Sequence, residues 1–321
     1  MGKADLETEL EIPYEKIERL VEEIEKVYIG ERGRVELALV GLLANGHLII
    51  EDVPGVGKTV LAHTIASCLD CEFRRIQFTP DLLPTDLLGV NVYDERESRF
   101  VFKRGPLFAN IILADEINRT TPKTQSCLLE AMNEAQITVD GVVHPLPQPF
   151  CVFATENPFE FEGTYPLPES QLDRFFLRMN LGYPTSEQSK KIIQAQKLYH
   201  PIEDVQPVMR ASDVVEMQML VRRVRVSQDI LDYIQNIVEA TRRHESVLTG
   251  ASPRGGIHFY RSAQALAVLR GRNYVEPDDI KELALPVLSH RIRLQRVGAS
   301  ANFDEATQAL RGILDEIPVP L

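Results

Sequence analysis

A stretch near the start of the chain has the residue types and spacing of a loop that binds phosphates. It reads EDVPGVGKTVLAHTIA and fits G-x-x-x-x-G-K-[ST], except that Asp52 stands at the first glycine position. Gly55 and Gly57 keep the positions where the backbone must turn tightly and approach a phosphate. The first position lies before that turn, where a side chain can point away, so we expect Asp52→Gly to leave nucleotide binding nearly unchanged. The stretch therefore predicts a nucleotide site.

The chemistry of this loop comes from its backbone amides and from two side chains. The N–H groups and the N-terminus of the following helix would cradle phosphates. Lys58 would reach the β and γ phosphates, and the hydroxyl group of Thr59 would bind Mg²⁺. The residues expected to contact the nucleotide here are Val53, Pro54, Gly55, Val56, Gly57, Lys58, Thr59 and Val60.

Two later apolar segments end in polar residues that suit the same chemistry. Ile111–Ala114 is predicted to be a buried strand, and Asp115 and Glu116 follow it. Asp115 would hold Mg²⁺ through water, and Glu116 would activate the attacking water. A third strand over residues 152–155 would bring Asn157 to the same sheet edge, where its amide would position the water or the γ phosphate. An asparagine before a proline is also typical of a plain turn, so this assignment depends on the other two motifs.

The elements that must position these residues alternate between strands and helices. The apolar periodicity predicts the following helices and strands in the first half: helices over Tyr14–Val27 and through Val35–Leu43, and strands over His47–Glu51, Phe73–Phe78, Ile111–Ala114 and Phe150–Ala154. This alternation indicates an α/β domain with a mostly parallel sheet. The strands are predicted to stop near Tyr183, and the remainder is predicted to be helical. We therefore expect one domain over residues 1–183 and an all-α domain over residues 184–321.

Local signals place helix starts in the second domain and two hairpins in the first. Ser227 is a good N-cap for a helix over 228–243, and Ser252 followed by proline opens another through residue 270. One hairpin is predicted at about residues 90–104. A second, at about 135–147, contains Asp140-Gly141 between strand-forming residues, the strongest short hairpin signal.

Composition and charge narrow the class of protein. The 321 residues carry a formal net charge of −12, which argues against a protein whose main partner is nucleic acid. The sequence shows neither an apolar run long enough to span a membrane nor a secretory signal, so a cytoplasmic location is the expectation. Cys68 and Cys71 form a C-x-x-C pair without a second ligand pair, which favours a structural role over a metal site. Cys127 and Cys151 are predicted to be small buried residues.

Taken together, the motifs resemble those of the MoxR family of AAA+ ATPases over nearly the whole chain. The stretches that carry the resemblance are EDVPGVGKT, IILADEINR, SCLLEAMNEAQITVDG, FATENP, EGTYPLPESQLDRFFLR and ASPRGG. The resemblance implies an AAA+ P-loop core followed by a smaller lid domain, with ATP and Mg²⁺ as cofactors. It also implies ATP hydrolysis by a ring that remodels or matures protein complexes.

The resemblance assigns further residues. Asn157 matches the sensor-1 asparagine, Arg174 the arginine finger that reaches a neighbouring subunit's γ phosphate, and Arg254 the sensor-2 arginine of a lid helix. Ile29 and Gly30 belong to the segment that lines the adenine pocket. The hairpin near residues 90–104 corresponds to the helix-2 insert and that near 135–147 to the pre-sensor-1 hairpin. Both face the pore or the substrate in related rings.

The family resemblance also implies partners, and three alternative functions remain beside it. The implied assembly is a homo-oligomeric ring, expected to be a hexamer, with protein clients that include proteins with a von Willebrand factor A domain. An ATPase subunit of a metal chelatase shares both insertions and is the first alternative. A nucleic-acid motor is the second, weakened because residues 140–144 contain no Lys or Arg. A scaffold that binds ATP without turnover is the third, and the retained Asp115 and Glu116 argue against it.

Overall fold

A computed structural model describes residues 11–158, 163–195, 201–295 and 303–320. Within them the chain forms two compact units, one of residues 19–215 and one of residues 11–18 together with 216–320. The predicted domain boundary between residues 183 and 184 stays a prediction. The last strand of the main sheet ends before it, but the first unit continues to residue 215.

The first half of the chain alternates between helices and strands, as the sequence predicts. Its helices are α1 (Tyr14–Val27), α2 (Arg32–Leu43), α3 (Lys58–Cys68), α4 (Pro84–Leu88), α5 (Pro122–Glu134), α6 (Glu169–Leu172) and α7 (Ser186–Ala195), with short 3-10 turns at Ile117–Arg119 and Pro201–Asp204. Its strands are β1 (Leu48–Glu51), β2 (Phe73–Gln77), β3 (Gly89–Asp94), β4 (Arg99–Arg104), β5 (Ile111–Asp115), β6 (Gln136–Val139), β7 (Val142–Pro145), β8 (Cys151–Glu156) and β9 (Leu177–Met179).

Five of these strands form the central sheet, in the order β2-β5-β8-β1-β9. All of its pairings are parallel, so the carboxyl ends of the strands lie at one edge. β5 is buried from Ile111 to Ala114, as a central strand covered on both faces must be. The four predicted strands are confirmed. The three-residue strand β9 escaped prediction because it is too short to show a period.

His47, just before β1, is buried and joins two other elements. Its Nδ1 accepts a hydrogen bond from the backbone N–H of Val152 at 3.0 Å, so its Nε2 donates to the carbonyl oxygen of Met132 at 2.9 Å. Burial lowers the pKa of His47 to about 4, so this ring is neutral at physiological pH. It therefore acts as a structural link between the sheet and α5.

Both predicted hairpins are present, and they contact each other. β3 pairs with β4 and β6 with β7, and the turn of the second hairpin has positive φ angles of 50° at Asp140 and 79° at Gly141. Asn91 donates to the carboxylate of Asp140 at 2.6 Å. The rings of Phe102 and His144 stack with their centroids 4.2 Å apart. The two hairpins therefore form one joint surface.

The second half is mainly helical. Its elements are the helices α8 (Ala211–Val221), α9 (Gln228–Arg243), α10 (Pro253–Leu269), α11 (Pro277–Leu288) and α12 (Phe303–Glu316), a 3-10 turn at Ser289–Arg291, and the strands β10 (Val247–Thr249) and β11 (Arg293–Leu294). Ser227 and Ser252 cap α9 and α10 as predicted, accepting from Ile230 N at 3.3 Å and Gly255 N at 3.2 Å.

The predicted α/β core with a helical lid is confirmed, with one correction. The expectation that strands stop near Tyr183 is wrong, because β10 and β11 pair as a short antiparallel ribbon. These strands of three and two residues are formed by their pairing and carry no periodic pattern. Among the described residues, every helix is too short or too polar to traverse a lipid bilayer.

Candidate nucleotide site

The loop after β1 has the backbone that its glycines were expected to allow. Gly55 and Gly57 have φ angles of 87° and 97°, a region that side chains with a Cβ rarely adopt. A Cβ added to Gly55 would meet no atom within 4 Å, so the space beside this residue is open. Gly57 then caps α3, which begins at Lys58 and directs its first N–H groups toward that space.

The side chain of Asp52 is hydrogen bonded to three backbone amides. One carboxylate oxygen, Oδ2, accepts from the backbone N–H groups of Leu181 and Gly182, each at 2.7 Å. The other, Oδ1, accepts from Val53 N at 2.9 Å. Asp52 is 9% exposed. This residue therefore ties the phosphate loop to the segment that follows β9.

Lys58 lies among the acidic residues of the site. Its ammonium group donates to the carbonyl oxygens of Asp52 at 2.7 Å and Val53 at 3.3 Å. Burial lowers the pKa of Lys58, whereas the carboxylates of Asp115, Asp52 and Glu116 act in the opposite direction. The sheet thus brings the lysine of one motif within electrostatic reach of the acidic pair of the other.

Asp115 and Glu116 are held by the next strand, β8. The hydroxyl group of Thr155 donates to Asp115 Oδ1 at 2.7 Å and accepts from the backbone N–H of Glu116 at 2.9 Å. Glu116 has left-handed backbone angles, φ 58° and ψ 52°. A conformation that is uncommon for a residue with a side chain is thus stabilised by a buried hydroxyl group.

Arg75 and Gln77 of β2, with Arg119 of the 3-10 turn after β5, contact the carboxylates of Asp115 and Glu116. Arg75 donates to Asp115 Oδ2 at 3.1 Å from Nε and at 2.6 Å from Nη2. Gln77 donates to Glu116 Oε2 at 2.8 Å, and the guanidinium group of Arg119 lies 3.0 Å from the same oxygen. The sequence motifs did not predict roles for Arg75, Gln77, Arg119 and Thr155. A partial signal did exist for the first two, because they are polar residues on a strand that the sequence predicts.

The end of β8 carries both the predicted Asn157 and an unusual carboxyl group. Asn157 is 7% exposed at the sheet edge. Glu156 stands opposite Glu51 in the β1–β8 register, and Glu51 forms an ion pair with Arg178 of β9. Burial and the Glu51 carboxylate raise the pKa of Glu156 to about 8, against the opposing effect of Arg178.

A cavity beside the phosphate loop is lined by the segment predicted to bind adenine. Ile29 and Gly30 line it together with Gly55 and Gly57. A Cβ at Gly30 would lie 2.5 Å from the ring of Tyr28, so only glycine permits this close approach. Residues 181–185 form another part of its wall. A cavity with both polar and apolar lining lies next to a glycine-rich helix N-terminus, an arrangement that could receive a nucleotide.

Family comparisons agree with this geometry. The family described as ATPase family associated with various cellular activities (AAA) matches residues 47–177, and the AAA lid domain matches residues 239–311. Chaperone MoxR1 of Mycobacterium tuberculosis is 41% identical over 287 residues, which are 87% of this chain and 76% of that protein. This chain belongs to the MoxR family of AAA+ ATPases.

Two further matches support membership of the MoxR family. The uncharacterised protein YeaC of Bacillus subtilis is 47% identical over 305 residues, 94% of each chain. The crystal structure of a Cytophaga hutchinsonii protein assigned as an ATPase superimposes with a TM-score of 0.88, at 38% identity and over 96% of each chain.

Relatives among the metal chelatases are more distant. A magnesium-chelatase subunit ChlI homolog of Methanocaldococcus jannaschii is 29% identical over 57% of this chain and 50% of its own length. The chelatase alternative is therefore less well supported than the MoxR family.

The two arginines that the family resemblance singled out lie in different units. Arg174 follows α6 in the first unit and donates from Nη1 to the carbonyl oxygen of Leu129 on α5 at 3.2 Å. Arg174 and Leu129 line a surface groove together with Glu130 and Asn133. Arg254 is exposed in the first turn of α10, in the second unit. Their roles as arginine finger and sensor 2 stay predictions.

The cysteines do not form a metal centre in the described part of the chain. Cys68 and Cys151 are buried, whereas Cys71 and Cys127 are half-buried, and all four are free thiols. Burial raises the pKa of Cys68, Cys71 and Cys127 to about 12, 12 and 11. No cluster of three or more potential ligands occurs among the described residues. The structural role of the C-x-x-C pair stays a prediction.

Proposed function

We propose that this MoxR-family chain binds MgATP at the loop after β1, hydrolyses it within a ring of its own copies, and uses the energy to remodel protein partners. The observation that carries the proposal is the grouping of Lys58 with Asp115 and Glu116 at one edge of the parallel sheet. This edge provides a cation for phosphate, a carboxylate for a metal ion and a second carboxylate for water.

The donor set suits Mg²⁺ because it consists of hard oxygen ligands. The hydroxyl group of Thr59 and, through water, the carboxylate of Asp115 would hold the ion. Thr155 and Arg75 fix the orientation of Asp115, so this carboxylate is arranged in advance. When bound, Mg²⁺ supplies charge neutralisation for the phosphate oxygens.

Glu116 is the residue that we assign as the general base. Its carboxylate would accept a proton from water that attacks the γ phosphate, while Lys58 binds the β and γ phosphate oxygens. The bonds from Gln77 and Arg119 both go to Glu116 Oε2, and the second carboxylate oxygen would contact water. Asn157 would position that water or the γ phosphate.

The assembly and its clients are extensions of the family relationship. Arg174 would complete the site of a neighbouring copy, and Arg254 would contact the phosphates from the lid. MoxR1 is named a chaperone, which supports protein clients for this chain as well. A hexameric ring, a client with a von Willebrand factor A domain and a cytoplasmic location remain predictions.

Paired substitutions separate ATP binding from hydrolysis. Glu116→Gln keeps the side-chain shape but removes the base, so we expect calorimetry to show MgATP binding close to wild type and phosphate release to fall on the order of a hundredfold. Lys58→Ala removes the lysine of the phosphate site and should abolish binding. Glu95→Gln, at an exposed hairpin turn, is the matched control and should change neither quantity. Turnover by Glu116→Gln within about threefold of wild type would place the base elsewhere.

A further inference from the structure

The starting observation is the environment of Asp52, the residue that departs from the phosphate-loop pattern. Its carboxylate accepts three backbone N–H bonds, one from its own loop and two from Leu181 and Gly182. Bonds to an ionised acceptor are among the stronger hydrogen bonds in proteins. A glycine at this position would supply none of them.

The two bonded amides belong to the wall of the cavity beside the loop. Leu181, Gly182 and Tyr183 line this cavity together with Tyr28 and Gly30. The sheet ends at Met179, so residues 180–185 are no longer held by strand pairing. Gly182 has a φ of 71°, which marks a sharp change of direction in the chain.

We propose that Asp52 is a positioning residue that holds this wall at the correct distance from the phosphate loop and thereby sets the affinity for the adenine base. The assignment rests on the proposed function, because it takes the cavity to be the base site. One carboxylate links the element that binds the phosphates to the element that contacts the base. Base recognition and phosphate recognition are therefore coupled through a residue that touches neither.

This assignment reverses the expectation from the sequence that Asp52→Gly would be neutral. Two opposing effects arise on removing the side chain. Loss of a negative charge close to Lys58 favours any bound phosphate, whereas loss of the bonds to Leu181 and Gly182 frees the wall. The first effect applies to every polyphosphate. The second applies only to a ligand that carries a base.

The test compares MgATP with magnesium tripolyphosphate, which has the phosphates and no base. Calorimetry measures both dissociation constants for wild type, Asp52→Gly, Asp52→Asn and Asp70→Gly. We expect Asp52→Gly to lower the preference for ATP over tripolyphosphate about tenfold. Asp52→Asn removes the charge but keeps an oxygen for Leu181 and Gly182, so its preference should stay within about threefold of wild type. Asp70 is exposed with a φ of 50°, so glycine suits its backbone. The Asp70→Gly variant should therefore keep the wild-type preference for ATP over tripolyphosphate.

Hydrogen exchange of the nucleotide-free protein tests the bonds directly. The amides of Leu181 and Gly182 should be protected in wild type and in Asp70→Gly, and should exchange at least tenfold faster in Asp52→Gly. Because this readout needs no nucleotide, it stands even if the chain proves not to bind ATP. Unprotected amides in wild type would overturn the assignment without any variant. So would an unchanged preference for ATP in a folded Asp52→Gly protein whose wild type binds ATP.

Discussion

The hydroxyl group of Thr155 is the point through which β8 controls the acidic pair at the end of β5. It donates to Asp115 and accepts from the backbone of Glu116, and it is fully buried. One side chain of a neighbouring strand therefore contacts both members of the pair, alongside the bonds that Arg75 donates to Asp115. The effect of this contact can be tested without altering either carboxylate.

Thr155→Val removes the hydroxyl group and keeps the shape of the side chain. We expect kcat for ATP hydrolysis to fall at least tenfold with a smaller change in ATP affinity, because Glu116 loses its backbone partner while Lys58 is untouched. The free energy of unfolding should fall by about 1–3 kcal/mol, as for other buried groups left unpaired. Thr155→Ser keeps the hydroxyl group and should retain activity. Equal kcat values for the Val and Ser variants would show that this bond does not matter for turnover.

Glu156 should make the stability of the first unit depend on pH. In the unfolded chain its proton is lost near the ordinary pKa of 4.5, whereas the folded state keeps it until about pH 8. The folded state therefore binds more protons in this window, and stability falls as the pH rises from about 4.5 to 8. Below about pH 4.5 Glu156 is protonated in both states, so the stability that its protonated form allows is fully present.

Glu156→Gln should remove this slope, since glutamine does not titrate. Denaturant unfolding at pH 6 and pH 8 should show that the loss of stability between these values is smaller in the variant by about 1 kcal/mol or more. Glu95→Gln, the exposed control, should keep the wild-type slope. A slope that is equal in all three proteins would mean that Glu156 is ionised in the folded state across the window.

At the scale of the elements, α11 is fixed by a buried carboxylate. Asp279 is inaccessible to solvent and accepts from Arg270 at 3.1 Å and from Arg272 at 2.6 Å. It also accepts from the backbone N–H of Glu276 at 2.9 Å, which caps the start of the helix. One side chain thus joins the end of α10 to the beginning of α11.

Asp279→Ala should destabilise the second unit strongly, because two guanidinium groups lose a buried partner. Because Arg270 and Arg272 each keep a second carboxylate partner, we expect a loss of about 1.5–3 kcal/mol, which denaturant unfolding would detect. Asp278→Ala changes the same residue type in the same turn, but that side chain is 83% exposed. It should alter stability by no more than about 0.5 kcal/mol. Similar effects of the two substitutions would contradict the structural role of Asp279.

How much the sequence could predict differs between kinds of element. α1 begins and ends at the predicted residues because its apolar positions repeat with the helical period over four turns. β9 and the ribbon of β10 and β11 were missed because strands of two or three residues have no period to detect. The motifs placed Lys58, Asp115 and Glu116 together, since parallel strands share one carboxyl edge. The bonds of Asp52, Thr155 and His47 depend on side-chain packing between distant segments, which residue types alone do not reveal.

At the scale of the whole molecule, the role predicted for Arg174 depends on how copies of the chain assemble. Its described contact is with α5, at Leu129. A guanidinium group that serves a neighbouring copy can act only if the copies pack head to tail around a closed ring. The active site would then be divided between two chains.

Mixing two inactive variants tests this division. A ring of Lys58→Ala and Arg174→Ala subunits contains interfaces that combine an intact loop with an intact arginine, so ATP hydrolysis should partly return. Mixing Lys58→Ala with the double variant Lys58→Ala/Arg174→Ala creates no such interface and is the control. If native mass spectrometry confirms mixed rings and activity does not recover at any ratio, Arg174 does not act in trans.

The position of β1 in the sheet also affects how the chain folds during synthesis. β1 lies between β8 and β9, with Leu48 opposite both Phe153 and Leu177. Contacts across such long sequence separations form late. The ribosome must release the chain through Met179 before the strand that precedes the phosphate loop has both of its neighbours. A shorter nascent chain carries the complete phosphate-loop sequence without the β9 segment that pairs with β1.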